Sequence, residues 1–262
     1  MQMLNALRTG TSAAILALSL FPQPAGACPV DSVQSGTVCI DKYESSVWYV
    51  PPSETTLITK VQRGTVTAAD LTSPAAVAAG VHQLGLTYTD LADAGCPVTG
   101  NRCLDFYAVS IADVFPSTFI TWFQAVAVSR NSLKRLATNQ EWQAGALGTG
   151  FGLRAPCNIF SDAPMRTGSL PGCVSDVGAF DMVGNVQEMV AEWGVRGADC
   201  TTWPADFGSD YACFGAGPVL LPAYISRGGS FSESTGAGVF AATTRMGPPS
   251  SPDFAVGLRC VR

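Results

Sequence analysis

Histidine is almost missing from this sequence. His82 is the only one in 262 residues, and no two of the nine cysteines stand in Cys-x-x-Cys spacing. Ordinary zinc sites draw on clusters of those ligands, so the composition argues against one. Charge is scarce as well, at 13%, with 15 Lys and Arg against 20 Asp and Glu. An acidic balance without a basic run argues against nucleic acid and anionic membrane surfaces as partners. Long apolar runs are lacking: Ala13 to Phe21 is about nine residues where roughly 20 are needed to cross a bilayer, and no transmembrane span is expected. There is no internal repeat.

The first 27 residues carry Arg8, then that apolar stretch, then Pro22 and Pro24, then Ala25-Gly26-Ala27 before Cys28. This is the order of a removable secretory signal with an A-x-A type cleavage site. Lipidation of Cys28 is the alternative, weakened by Pro24 and Ala25 where lipoprotein signals carry an aliphatic residue. Residues 28–262 then suit one domain, in an extracytoplasmic setting, periplasmic or secreted. The mean hydropathy of +0.23 is that of a compact chain.

Spacing groups eight cysteines into close pairs: Cys28 with Cys39, Cys96 with Cys103, Cys157 with Cys173, and Cys200 with Cys213. Disulfides are the default for an exported chain with such spacings. Cys260 is left over.

Along the chain, Ile40 to Val50 is rich in β-branched and aromatic residues and ends at Pro51-Pro52, which predicts an early strand. Residues 53–105 are rich in Thr, Ala and Gly, with a weak period, and are read as an irregular insertion with room for a short helix, closed by a small loop between Cys96 and Cys103. Phe119, Trp122, Phe123 and Val126 have helical spacing. Thr138 and Glu141 form a capping box, predicting a second helix to about Gly148. From Gly148 onward, recurring Gly, Pro, Ser and Cys predict a loop-rich half with few strands. The class expected is α+β.

Several phrases then occur in order. They are Cys39-Ile40-Asp41-Lys42-Tyr43-Glu44, Lys134 to Trp142, Gly178 to Glu188, Ser226-Arg227-Gly228-Gly229-Ser230-Phe231, and Gly257-Leu258-Arg259-Cys260. Together they resemble the sulfatase-modifying factor domain, the family of the formylglycine-generating enzyme, over residues 39–262 apart from the insertion at 53–105. The resemblance implies a single domain with a variant C-type lectin-like fold, low in regular secondary structure. It also implies oxidation of a substrate cysteine to formylglycine by copper on two cysteines five residues apart. Here those positions fall on Glu233 and near Gly238, which cannot replace thiolates for soft Cu(I). The histidine-built iron site of the ergothioneine branch fails on His82 alone. No copper, iron, haem or nucleotide is expected.

Calcium is the cofactor the resemblance does imply. Its ligands would be Asp181, the carbonyls of Gly184 and Val186, and Glu188, a set of hard oxygens of the type Ca²⁺ takes. A second calcium site would start near Asn158 and Ile159. In the family the final cysteine pairs with one on the first helix, but the matching position is Ser129. Cys260 is therefore expected as a buried free thiol, with a Cys39–Cys260 bridge and a lipidated Cys28 as the rival. Arg135, Arg245 and Arg259 match family arginines and are read as buried residues that pin loops. Trp122, Trp142 and Trp193 are assigned to the core, with stacking on a sugar or peptide as the alternative for one left exposed in the groove.

The expected function is that of a monomeric, non-catalytic binding or scaffold module for a peptide, protein or glycan. The alternative is an extracytoplasmic enzyme working on a peptide or small molecule without copper, as an exported branch of the family does on siderophore peptides. Glu233, beside Ser232, Ser234 and Thr235, is then the candidate catalytic residue, as a general base. A hypervariable ligand-binding surface fits less well, because residues 231–256 are low in asparagine and aromatics.

Overall fold

A computed structural model of the chain describes residues 27–150, 156–196, 200–202, 210–213, 222–244 and 247–262. Arg245 and nearly all of the expected signal, residues 1–26, lie outside them.

The early strand is two strands. β1 (Ser32–Ser35) and β2 (Val38–Asp41) form a hairpin, and β3 (Ser45–Tyr49) follows after a break at 42–44. The break falls where buried polar groups replace strand pairing: Asp41 takes the Lys134 ammonium at 2.6 Å, and Glu44 accepts the Val186 amide at 3.0 Å. β3 then lies between two cores. It pairs with β5 (Phe106–Ser110), and their alternate side chains divide. Val47, Phe106 and Ala108 enter one core, while Trp48, Tyr107 and Val109 enter another. A period of two with both faces covered explains why the run reads as almost continuously apolar.

The second of those cores is supplied by the segment expected to be irregular. Residues 53–105 hold the helices α1 (Thr55–Gln62), α2 (Ala68–Thr72), α3 (Pro74–Ala78) and α4 (Asp90–Asp93), and the strand β4 (His82–Leu84). Leu57, Val61, Leu71 and Ala76 pack on Trp48 and Tyr107. The helices are one or two turns long, too short to show a helical period in sequence, and caps at Thr67 and Ser73 start two of them.

Helix α5 (Trp122–Asn131) begins at a Thr121–Gln124 capping box, and α6 (Asn139–Ala146) at the Thr138–Glu141 box. Between them β6 (Arg135–Leu136) carries an exposed Arg135 that pairs with Glu141 at 2.7 Å, so Arg135 does not pin a buried loop. Of the tryptophans, Trp142 is fully buried, but Trp193 is 45% exposed and meets Trp122 edge to face at 5.0 Å.

The C-terminal half is richer in strands than expected. It contains β7 (Gln187–Val195), β8 (Thr201–Thr202), β9 (Tyr211–Cys213), β10 (Pro222–Gly228), β11 (Gly238–Thr243), β12 (Val256–Leu258) and β13 (Cys260–Val261). Six of these form the sheet β12-β7-β10-β11-β9-β8, and β13 joins β1, β2 and β6 in another, with Val261 opposite Ile40. Their partners are distant in sequence, so local turn residues conceal them.

Disulfides close Cys28–Cys39, Cys96–Cys103, Cys157–Cys173 and Cys200–Cys213, and Cys260 is a buried thiol. Four such bridges fit an oxidising, extracytoplasmic compartment. Among the described residues no helix is long and apolar enough to cross a membrane.

Candidate functional site

Glu233 stands at the edge of a cavity of about 360 Å³ formed where β7, β9, β10 and β11 meet. Gly229 sits in the left-handed region at φ 78°, and a Cβ there would overlap Ala237, so the Gly228-Gly229 phrase lets the 229–238 loop fold back on itself. That brings Glu233 beside the start of β7. Ser226 Oγ donates to Gln187 Oε1 at 2.5 Å, and Gln187 Nε2 donates to Glu233 Oε1 at 2.5 Å. Tyr211, Cys213 and Thr243 complete the wall.

The chemistry this set offers is recognition by polar contacts. Ser226 donates to an amide oxygen, which is no base, so its hydroxyl is not activated as a nucleophile. Cys213 is tied to Cys200. Cys260, the free thiol among the described residues, lies in the core, where burial pushes it up to about 12. His82 is on β4 against Tyr49 and takes no part.

Behind the pocket wall lies a residue with no signal in the sequence. Asp210 is fully buried, and its Oδ2 accepts the Phe240 amide at 2.7 Å. Its carboxylate fills the space beside Gly238, where an added Cβ would overlap it. Burial raises Asp210 to about 6, with the Arg227 charge working the other way. Arg227 stacks on Trp142 at 4.7 Å, and burial lowers it to about 10. Gln187, Ser226 and Tyr211 were missed too. Gln187 and Ser226 both lie in phrases that stood out, but nothing in those phrases sets either of them against Glu233, and Tyr211 lies in none.

The residues present do not fit copper. The two positions matched to the family's thiols carry a carboxylate and a glycine, and Asp210 occupies the volume a side chain at 238 would need.

Glu188 does not fit as a calcium ligand. Arg259 Nε lies 2.9 Å from both of its oxygens, Arg259 Nη2 2.7 Å from Oε1, and Trp142 Nε1 donates to Oε2 at 2.6 Å. A dication there would face a guanidinium at contact distance. Asp181 Oδ2 accepts the Gly168 amide at 2.7 Å, and the Gly184 amide donates to Gly228 O at 3.2 Å. Val186 gives its amide to Glu44 at 3.0 Å. Asn158 is turned inward: its side chain donates to Asn185 Oδ1 and accepts from Ser161, while its carbonyl accepts the Asn185 amide. The carbonyl of Ile159 accepts the Ser234 amide at 2.8 Å. Burial, with the nearby Asp181 and Glu188 charges, pushes Glu44 well above the usual carboxyl range, and Asp181 is raised to about 6 mainly by burial. The phrase 181–188 is thus a hydrogen-bonded hub locked by the Glu188–Arg259 pair.

Comparison with known proteins places the chain. Among curated proteins none matches it. Solved structures with a similar fold include the Major Tropism Determinant P3c variant, at 21% identity and a TM-score of 0.42 over 67% of this chain and 48% of that one. PvdO from Pseudomonas aeruginosa matches at 15% identity and a TM-score of 0.41, over 86% of this chain and 93% of its own. The chain spans about half the length of the tropism determinants, and at these identities the likeness says nothing of activity. A family model, the sulfatase-modifying factor enzyme 1-like domain, matches residues 33–262. With a match over most of its length, the chain belongs to the FGE-sulfatase family, whose variant C-type lectin-like α+β fold it shares.

Proposed function

We propose that this protein is an exported, monomeric member of the family that binds a polar ligand, a peptide, protein or glycan, in the Glu233 pocket and does not form formylglycine. The observation that carries this reading is the replacement at Glu233 and Gly238. A carboxylate stands at one thiol position, and the Asp210 carboxylate closes the other. The pocket keeps hydrogen-bonding groups without an activated nucleophile, which suits recognition.

Two experiments test it. Purified mature protein given copper, oxygen, reductant and a sulfatase-type cysteine peptide should yield no aldehyde by mass spectrometry. Turnover that survives Cys260→Ser would sink the idea. Binding screens against glycan and peptide sets should return ligands whose affinity falls in Glu233→Gln. The enzymatic reading rests on the Glu233 carboxylate at the pocket, and turnover of another substrate lost in Glu233→Gln would establish it. Intact mass from a secreting host, beginning at Cys28, tests export.

A further inference from the structure

A second cavity, of about 400 Å³, shares the 229–233 loop with the Glu233 pocket. Phe231 lines this one, and Gly229 and Glu233 the other. Its walls come from five stretches of the sequence and are mostly apolar, with Leu86, Phe115, Phe119, Phe231 and Phe254 the largest side chains. Three of these side chains stay open to solvent, Leu86 at 45%, Phe115 at 42% and Phe254 at 55%. Apolar exposure gathered into one concave surface marks a recognition site more than scattered exposure does.

The walls are preformed. Phe119 holds a left-handed backbone at φ 52°, a conformation that a bulky residue keeps only when its surroundings impose it. Its amide donates to Asp253 O at 2.8 Å, which ties it to the stretch carrying Phe254. The Phe254 ring lies 5.9 Å from that of Phe231.

The charge on the rim selects among apolar occupants. Asp162 lines the cavity, is exposed, and has no hydrogen-bond or ion-pair partner among the described residues. Arg166 is differently placed. It stacks over the Phe115 ring at 5.0 Å, and Asp113 supplies both a carbonyl at 2.6 Å and a carboxylate at 3.9 Å. The unmatched charge at the groove is therefore negative, in a chain whose net charge is −5.

We propose that this groove binds a peptide segment that presents an aromatic or aliphatic side chain next to a basic one. The apolar side chain enters among Phe115, Phe119 and Phe254, and the Lys or Arg group pairs with Asp162. An uncharged glycan or acyl chain would leave Asp162 unmatched.

The test uses the mature full chain and acetyl-Gly-Phe-Arg-Gly-amide, with Phe-Glu and Ala-Arg analogues, measured by calorimetry and NMR titration. The Phe-Arg peptide should bind saturably and at least about 3-fold tighter than Phe-Glu, the scale of an exposed charge pair. Asp162→Asn, a surface change that leaves the melting temperature alone, should erase that preference. Phe254→Ala should weaken both Phe peptides, and Glu233→Gln should change neither. The proposal is overturned if the Phe-Arg peptide does not saturate, or if binding ignores both Asp162→Asn and Phe254→Ala. Loss of binding in Glu233→Gln alone would also overturn it, by assigning the peptide to the other pocket.

Discussion

The thiol of Cys260 lies 3.1 Å from the hydroxyl of Ser129, on the buried face of α5. Both side chains are fully buried, and Ser45 Oγ stands 3.7 Å from the same sulfur. The pair thus occupies the place of the helix-to-terminus disulfide that the family resemblance implies. Ser129→Cys should form that bridge. Closing so long a loop contributes up to about 4 to 5 kcal/mol in the chain-entropy model, less any strain. Peptide mapping without reductant would show a 129–260 cross-link, and the melting temperature should rise. In the wild type, Cys260 should resist alkylation until the protein unfolds, since it is both buried and raised to about 12.

The Glu188–Arg259 pair makes a second prediction. Both side chains are almost wholly buried at 2.7 Å. Removing one partner leaves an uncompensated buried charge, so Arg259→Met should destabilise by about 3 to 5 kcal/mol in urea unfolding. Because that pair holds the carboxylate expected for calcium, chelator should leave the melting temperature of the wild type unchanged. A fall on chelation, restored by added Ca²⁺, would show that the remaining oxygens at Asp181, Gly184 and Val186 hold an ion after all.

Gly238 and Asp210 should behave as a coupled pair. Gly238→Ala puts a methyl into the Asp210 carboxylate and should cost about 1 to 3 kcal/mol, the range of overpacking. Adding Asp210→Ala should recover part of that loss, giving a double-mutant coupling of the same order. Additive losses would mean the two residues do not compete for one space.

Asp210 also predicts a pH dependence whose sign is opposite to that of an ion-paired carboxylate. Its folded value, about 6, is above the unpaired value of 3.8, so the native state holds this proton more tightly than the unfolded chain does. Its contribution is fully present below pH 3.8 and is lost as pH rises through about 6. Asp210→Asn should therefore match the wild type near pH 4 and exceed it at pH 7 by on the order of 2 kcal/mol. Denaturant midpoints across pH 4 to 7 would check this, and a constant difference would count against it.

The start of α6 was legible because a cap is local. Thr138 and Glu141 are three residues apart, and their bonds follow from that spacing alone. The cysteine pairs read correctly for a similar reason, each closing a short loop. Segment 53–105 and the six-stranded sheet were not legible. Helices of one or two turns carry no period, and strands such as β7 and β12 owe their existence to partners tens of residues away.

By itself the sequence determined the family, the α+β class and the close cysteine pairs, because ordered phrases, residue types and short spacings survive without coordinates. Only the tertiary structure decided what surrounds Glu233 and Gly238. It brought Asp210, the residue before β9, into the space beside Gly238, linked Ser226 to Glu233 through Gln187, bound Glu188 to Arg259, and gathered Leu86, Phe115, Phe119, Phe231 and Phe254 into one groove. Each of these rests on contacts between segments remote along the chain, and such contacts are set by the packing of the whole core and leave no local pattern.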